Sequence, residues 1–226
     1  MILNSIVPWG RNLLEYVDMF SLTECELKNS KILGCGDGPA SFNAEVTVLG
    51  GNVVSIDPTY QFTTEQIAGR IDEVAEEVMR EVCKKQEDFV WKNIANPNAL
   101  YEMRMSAMKT FLADFKLGKE EGRYRYEILP NLSFMKAQFD LALSSHFLFL
   151  YSEHLDEQFH KDAIDEMLRV ANEVRIFPLV TLSGKISKHL APIMEYLEDK
   201  NYSCTIVKTK YEFQKGGNEM LQIKHV

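Results

Sequence analysis

Lys31-Ile32-Leu33-Gly34-Cys35-Gly36-Asp37-Gly38-Pro39-Ala40, followed by Val53-Val54-Ser55-Ile56-Asp57, decides how this chain is read. Three glycines alternate at the end of a short apolar run, and a carboxylate closes the next apolar run. In an open α/β sheet that pairing makes a nucleoside site. The loop lets a ligand lie against bare backbone, and the second strand offers an acid to ribose hydroxyls. Lys31 to Leu33 is the first strand. Pro39 suits the first position of a helix, where a missing N–H costs nothing, so a helix is expected over 40–49, stopped by Gly50-Gly51. Asn52 to Ile56 is the second strand, ended by Pro58.

Working outward, residues 8–20 place Leu13, Leu14, Val17 and Phe20 at helical spacing. The spacing predicts a long charged amphipathic helix over 63–94, broken by Asn96-Pro97-Asn98, and a second helix over 99–115. A crossover between parallel strands needs about a dozen residues, and here roughly sixty intervene, so 62–122 is expected to be a helical insertion between strands 2 and 3. Residues 123–129 suit a third strand. Phe139 to Leu143 is a nearly unbroken apolar run, as in a central strand buried on both faces. Helices are expected over 156–171 and 187–200, and a strand over 173–179. Residues 202–214 and 219–226 flank Gly216-Gly217 and read as a closing hairpin. Alternating strands and helices mean a parallel sheet. The expected fold is therefore α/β, a three-layer Rossmann-like sandwich. Its seven-stranded sheet is mostly parallel, with an antiparallel C-terminal hairpin strand. The whole of 1–226 reads as a single domain, with 1–29 as an N-terminal helical cap.

Composition narrows the partners. The 226 residues are 46% hydrophobic and 26% charged, enough to bury a sizeable core. A net charge of −8 disfavours a nucleic-acid partner, whose affinity rests on Lys and Arg neutralising phosphates. The start lacks the basic segment and cleavage site of a signal peptide, and the most apolar stretch, 139–151, is too short to span a membrane. Cys25, Cys35, Cys83 and Cys204 are scattered without a C-x-x-C pair, which fits reduced thiols in a cytoplasmic protein and no metal site. His154 and His160 lie among acids, but without zinc-ligand spacing they read as a helix start.

The glycines stand at G-x-G-x-G, with Pro39 where a dinucleotide fold wants its third glycine. The chain resembles the class I (Rossmann-like) S-adenosylmethionine-dependent methyltransferases. Leu33-Gly34-Cys35-Gly36-Asp37-Gly38 is similar to that family's glycine motif, and Ser55-Ile56-Asp57-Pro58 to its second-strand acid. Leu129-Pro130-Asn131-Leu132-Ser133-Phe134 followed by Phe139-Asp140-Leu141-Ala142-Leu143-Ser144-Ser145-His146 is similar to its fourth-strand segment. Asp165 to Val170 resembles the helix leading to the fifth strand. The resemblance spans most of 30–226 outside the insertion. It implies S-adenosylmethionine as cofactor and methyl transfer to a small or medium-sized molecule by in-line displacement. It also implies an acid near the end of the third strand for the adenine amine, where Glu127 is the nearby carboxylate.

The candidate cofactor residues are Gly34, Cys35, Gly36, Asp37, Gly38, Asp57, Pro58, Ser144, Ser145 and Arg11, the last against the cofactor's carboxylate. Asp37 serves equally well as a cap for loop N–H groups. Tyr60 suits an adenine face or plain packing. His146, at the carboxyl end of the fourth strand, is the candidate base. Trp9, Arg11, Tyr16, Met19 and Phe20 suit a lid or a packing helix. Trp91, Tyr101, Met103, Met105 and Met108 suit an acceptor pocket or a core. Three other functions use a related site: a non-catalytic S-adenosylmethionine-binding protein, an aminopropyltransferase and an NAD-binding oxidoreductase. Pro39 disfavours the last, and the aminopropyltransferase wants an acid-lined amine pocket.

Overall fold

The structure, a computed structural model, describes residues 7–226. The expected cap begins at residue 1, and its first six residues lie outside the described ones. Two short helices, α1 (Leu13–Phe20) and α2 (Glu24–Asn29), precede strand β1 (Lys31–Cys35). Helix α3 (Phe42–Val48) leads to β2 (Asn52–Ile56). Helices α4 (Thr64–Lys84) and α5 (Pro97–Glu120) lie between β2 and β3 (Tyr124–Arg125). Then come β4 (Phe139–Ser145), α6 (Glu157–Val170), β5 (Ala171–Phe177), α7 (Leu190–Asp199), β6 (Tyr202–Lys208) and β7 (Glu219–His225).

The seven strands form one sheet in the order β3-β2-β1-β4-β5-β7-β6. β1 to β5 pair in parallel, and β7 runs antiparallel to both β5 and β6. This is the expected mostly parallel sheet with one reversed C-terminal strand. Strand order reverses between β1 and β4, so the loops leaving their carboxyl ends diverge and open a crevice there.

The strands bury alternate residues on opposite faces. Leu33 and Ala142 pack with α6 and α7 residues such as Ile164 and Ile193. Ile32, Leu141 and Leu143 pack with Tyr16, Phe20 and Phe42 on the other face. A sheet covered on both sides explains the unbroken apolar runs.

Several boundaries move. The helix expected from residue 40 begins at Phe42, because Gly38 and Pro39 still belong to the turn. The helix expected over 63–94 ends at Lys84, and Phe89 bridges to Gln214 instead of continuing the turn. The second helix of the insertion runs further than its periodicity indicated, from Pro97 to Glu120, with Asn96 capping Ala99 N–H. β3 pairs only through Tyr124 and Arg125, because Tyr126 and Ile128 face solvent at the sheet edge. The 8–20 helix starts at Leu13, where Asn12 and Glu15 form a reciprocal capping box. Residues 7–12 are therefore free to run across the crevice.

Candidate functional site

The glycine loop leaves β1 and turns back over β2. Gly36 and Gly38 have φ of +70° and +53°, a conformation that glycine adopts without strain. Gly36 N–H donates to the Ile56 carbonyl at 2.9 Å, and Gly38 N–H to Asp57 Oδ2 at 2.9 Å. The fully buried Tyr60 donates its hydroxyl to the Gly38 carbonyl at 2.7 Å. Tyr60 thus packs beneath the loop against Phe111, Phe115 and Tyr124, and does not cover a ligand face.

Gly34 has a different duty. A Cβ there would stand 1.8 Å from Asp37 Oδ2, so its absence makes room for the Asp37 carboxylate. That carboxylate folds back under the loop and accepts from Tyr16 Oη at 2.8 Å and Ser55 Oγ at 2.6 Å. Burial raises the Asp37 carboxyl to about 6, against the pull of those two donors. Asp57 caps the turn after β2: its Oδ1 accepts from Thr59 N–H at 2.8 Å and Thr59 Oγ1 at 2.6 Å. With Gly38 on Oδ2, one lone pair of Oδ2 remains for a ligand. Burial also raises the Asp57 carboxyl.

These groups line a cavity of about 270 Å³. Gly36, Asp37, Gly38, Asp57 and Pro58 form one side. Ser145, His146 and Phe147, from the end of β4, form another, and Val7 to Trp9 with Arg11 and Tyr16 close it. Cys35 and Ser144 do not reach the cavity; both are fully buried in the sheet. Glu127 is turned away, accepting from Ser133 N–H and Oγ and paired with Arg125. Met19 and Phe20 are core residues beneath the site. Ser145 Oγ lies 3.1 Å from His146 Nδ1. Burial, with Arg11 and then Arg104 nearby, holds His146 well below its ordinary value, so its imidazole is neutral at pH 7.

The segment before α1 is pinned to the glycine loop. A Cβ on Gly10 would meet the Pro39 carbonyl oxygen at 2.0 Å, and Ser41 N–H donates to the Arg11 carbonyl at 3.0 Å. Arg11 donates to the Trp9 carbonyl at 3.0 Å. Its Nε is buried without a partner, and among the described residues Arg11 forms no ion pair.

Beyond Arg11 a second cavity, of about 100 Å³, lies between α4, α5 and the loop before β7. Val7, Trp9, Arg11 and His146 line both cavities. Behind the second one stands a buried network. Arg104 pairs with Glu15, and Tyr211 Oη donates to Glu15 Oε1 at 2.9 Å. Burial pushes the Glu15 carboxyl up, but Arg104 outweighs it and holds Glu15 below its ordinary value. Of the residues weighed for an acceptor pocket, none lines this cavity. Met108 is buried against Tyr60, Trp91 packs on Phe89 and Phe213, and Tyr101 faces a surface groove. The sequence signal for Arg104 is that it is the charge on the buried stripe Leu100, Arg104, Ala107, Met108, Phe111.

Among the described residues no group of three His, Cys, Asp or Glu is placed to hold a metal ion, and no helix is long and apolar enough to cross a membrane. No family model matches the chain. Its fold is similar to that of the magnesium protoporphyrin IX methyltransferase of Synechocystis PCC 6803, solved with bound S-adenosylmethionine. That likeness has 13% identity and a TM-score of 0.48 over 90% of this chain and 73% of that one. A TehB-like S-adenosylmethionine-dependent methyltransferase from Corynebacterium glutamicum gives 12% identity and a TM-score of 0.43 over 88% and 82%. In sequence, the chain is 38% identical over 235 residues to the uncharacterized protein MJ0045 of Methanocaldococcus jannaschii, across 98% of this chain and 97% of that protein, and it belongs to that protein's family.

Proposed function

We propose that this protein binds S-adenosylmethionine in the glycine-loop cavity and transfers its methyl group to a small molecule. The observation that carries the reading is the joining of the Gly36–Gly38 backbone to the Asp57 carboxylate at the switch point of the sheet. Gly36 and Gly38 line the cavity with bare backbone, and Asp57 Oδ2 offers an acceptor for a ribose hydroxyl. Pro58 and Phe147 supply apolar surface on either side. Asp37 and Asp57 set two carboxylates against the single guanidinium of Arg11 in this cavity, a balance that favours a cationic ligand. Bound there, the sulfonium brings its own leaving group, so the protein's task is alignment and exclusion of water. Trp9 and the segment around it cover the cavity and perform that exclusion.

The lining of the neighbouring cavity supports methyl transfer over aminopropyl transfer. An amine acceptor wants carboxylates, and this cavity has one, the exposed Asp88, against the two guanidinium groups of Arg11 and Arg104. Calorimetric titration with S-adenosylhomocysteine, S-adenosylmethionine, methylthioadenosine and NAD tests the proposal. The two sulfur nucleosides carrying the amino-acid arm should bind tightest. Tight NAD binding with no response to S-adenosylhomocysteine would reject it.

A further inference from the structure

The second cavity has walls that name a ligand. Its sides are apolar: Val82, Phe89, Leu100, Leu150 and Phe213 contribute. Two guanidinium groups reach it, and in each the Nε is buried without a partner. Glu15 neutralises Arg104, but among the described residues no carboxylate pairs with Arg11. Arg11 and Arg104 thus share the one buried carboxylate of Glu15, and the inner end carries a net positive charge in an apolar surrounding. A buried charge left without a partner is costly, and an anion placed beside it removes that cost. The one carboxylate lining the cavity, Asp88, is exposed at the outer rim and leaves the inner end cationic. His146 stands where the two cavities meet, and its neutral imidazole adds no opposing charge.

We propose that this cavity is the acceptor site, and that the acceptor is an apolar molecule carrying an oxyanion, a carboxylate or an ionised enol or phenol, held beside Arg11 at the junction with the nucleoside cavity. The inference rests on the methyl-transfer reading above. The acceptor binds as its anion, a phenol or enol having first released its proton to solvent, so no proton passes to the protein during transfer. The oxygen pair forms the new C–O bond as the methyl C–S bond of the sulfonium breaks, and the sulfur keeps the C–S pair. One anion and one cation become two neutral products, an ester or ether and a thioether. The gain is an O-methylated product that no longer matches Arg11 and leaves.

Three probes of one shape test this without turnover: 2-naphthoate, 2-naphthylmethylammonium and 2-naphthalenemethanol, titrated calorimetrically into the full chain. 2-Naphthoate should bind about tenfold or more tighter than the alcohol, and the ammonium should bind weakest. Arg11→Gln should remove most of the preference for 2-naphthoate over the alcohol. Leu150→Phe, which narrows the cavity away from the glycine loop, should weaken 2-naphthoate and the alcohol alike. Each variant's unfolding midpoint is measured to show that it is folded. S-adenosylhomocysteine is titrated in parallel. If it binds while 2-naphthoate shows no preference over the other two, the oxyanion acceptor is overturned and the methyl-transfer reading stands. If Arg11→Gln weakens S-adenosylhomocysteine and leaves 2-naphthoate unchanged, Arg11 serves the nucleoside ligand and the inference is likewise overturned. Failure of S-adenosylhomocysteine to bind the wild type overturns the reading beneath both.

Discussion

Asp37 holds its carboxylate in a space that exists because Gly34 has no side chain. The charge is buried, and its folded value of about 6 lies above the ordinary value of 3.8. A group raised in this way favours the folded state fully below its unfolded value, and that contribution disappears as pH rises through the folded value. The window is thus about pH 4 to 6, and the contribution is about 3 kcal/mol. Asp37→Asn does not titrate. Its unfolding midpoint relative to wild type should rise between pH 4 and 6 and level off above, as followed by thermal denaturation; a constant difference would contradict the burial argument. Asp57 makes the complementary case for binding. Its loss removes a charge-assisted contact, so Asp57→Ala should weaken S-adenosylhomocysteine by about tenfold to a hundredfold. An unchanged affinity by calorimetry removes Asp57 from the site.

At the scale of elements, two devices hold the cap over the crevice. The first is the Arg104–Glu15 pair, which ties α5 to α1 inside the molecule. Glu15→Gln leaves Arg104 buried without a countercharge and should cost about 3 kcal/mol or more in urea unfolding. A loss within experimental error would mean that water or Tyr211 suffices to compensate the guanidinium. The second is the close approach of Gly10 to Pro39. Gly10→Ala places a methyl group against a backbone carbonyl, so the segment must shift. S-adenosylhomocysteine should bind more weakly and the midpoint should fall; no change in either would show that the segment is not held there.

Across the whole molecule, what was legible in the sequence was what is local. β1, β2 and β4 showed as apolar runs because both faces of the sheet are covered. The glycine loop and Asp57 showed because their spacing is set within a few residues of each strand end. β3 was legible over 123–129 in place but not in length, since the exposed Tyr126 and Ile128 give an edge strand no sharp apolar end to read. The end of α4 was overrun because Phe89 and Ile94 continue an apolar pattern although the chain has already turned toward Gln214. The pairings Tyr16–Asp37, Tyr60–Gly38 and Arg104–Glu15 join residues far apart in the chain, and spacing carries no trace of them. The second cavity is built from such distant residues and was invisible for the same reason. The central claim is that the glycine loop and Asp57 cradle an S-adenosyl nucleoside. A crystal structure grown with S-adenosylhomocysteine tests it most directly. The account predicts the ribose hydroxyls on Asp57, the Gly36–Gly38 backbone against the ligand and the sulfur facing His146. Electron density for the ligand elsewhere, with the Asp57 carboxylate still bound only by Thr59 and Gly38, would contradict it.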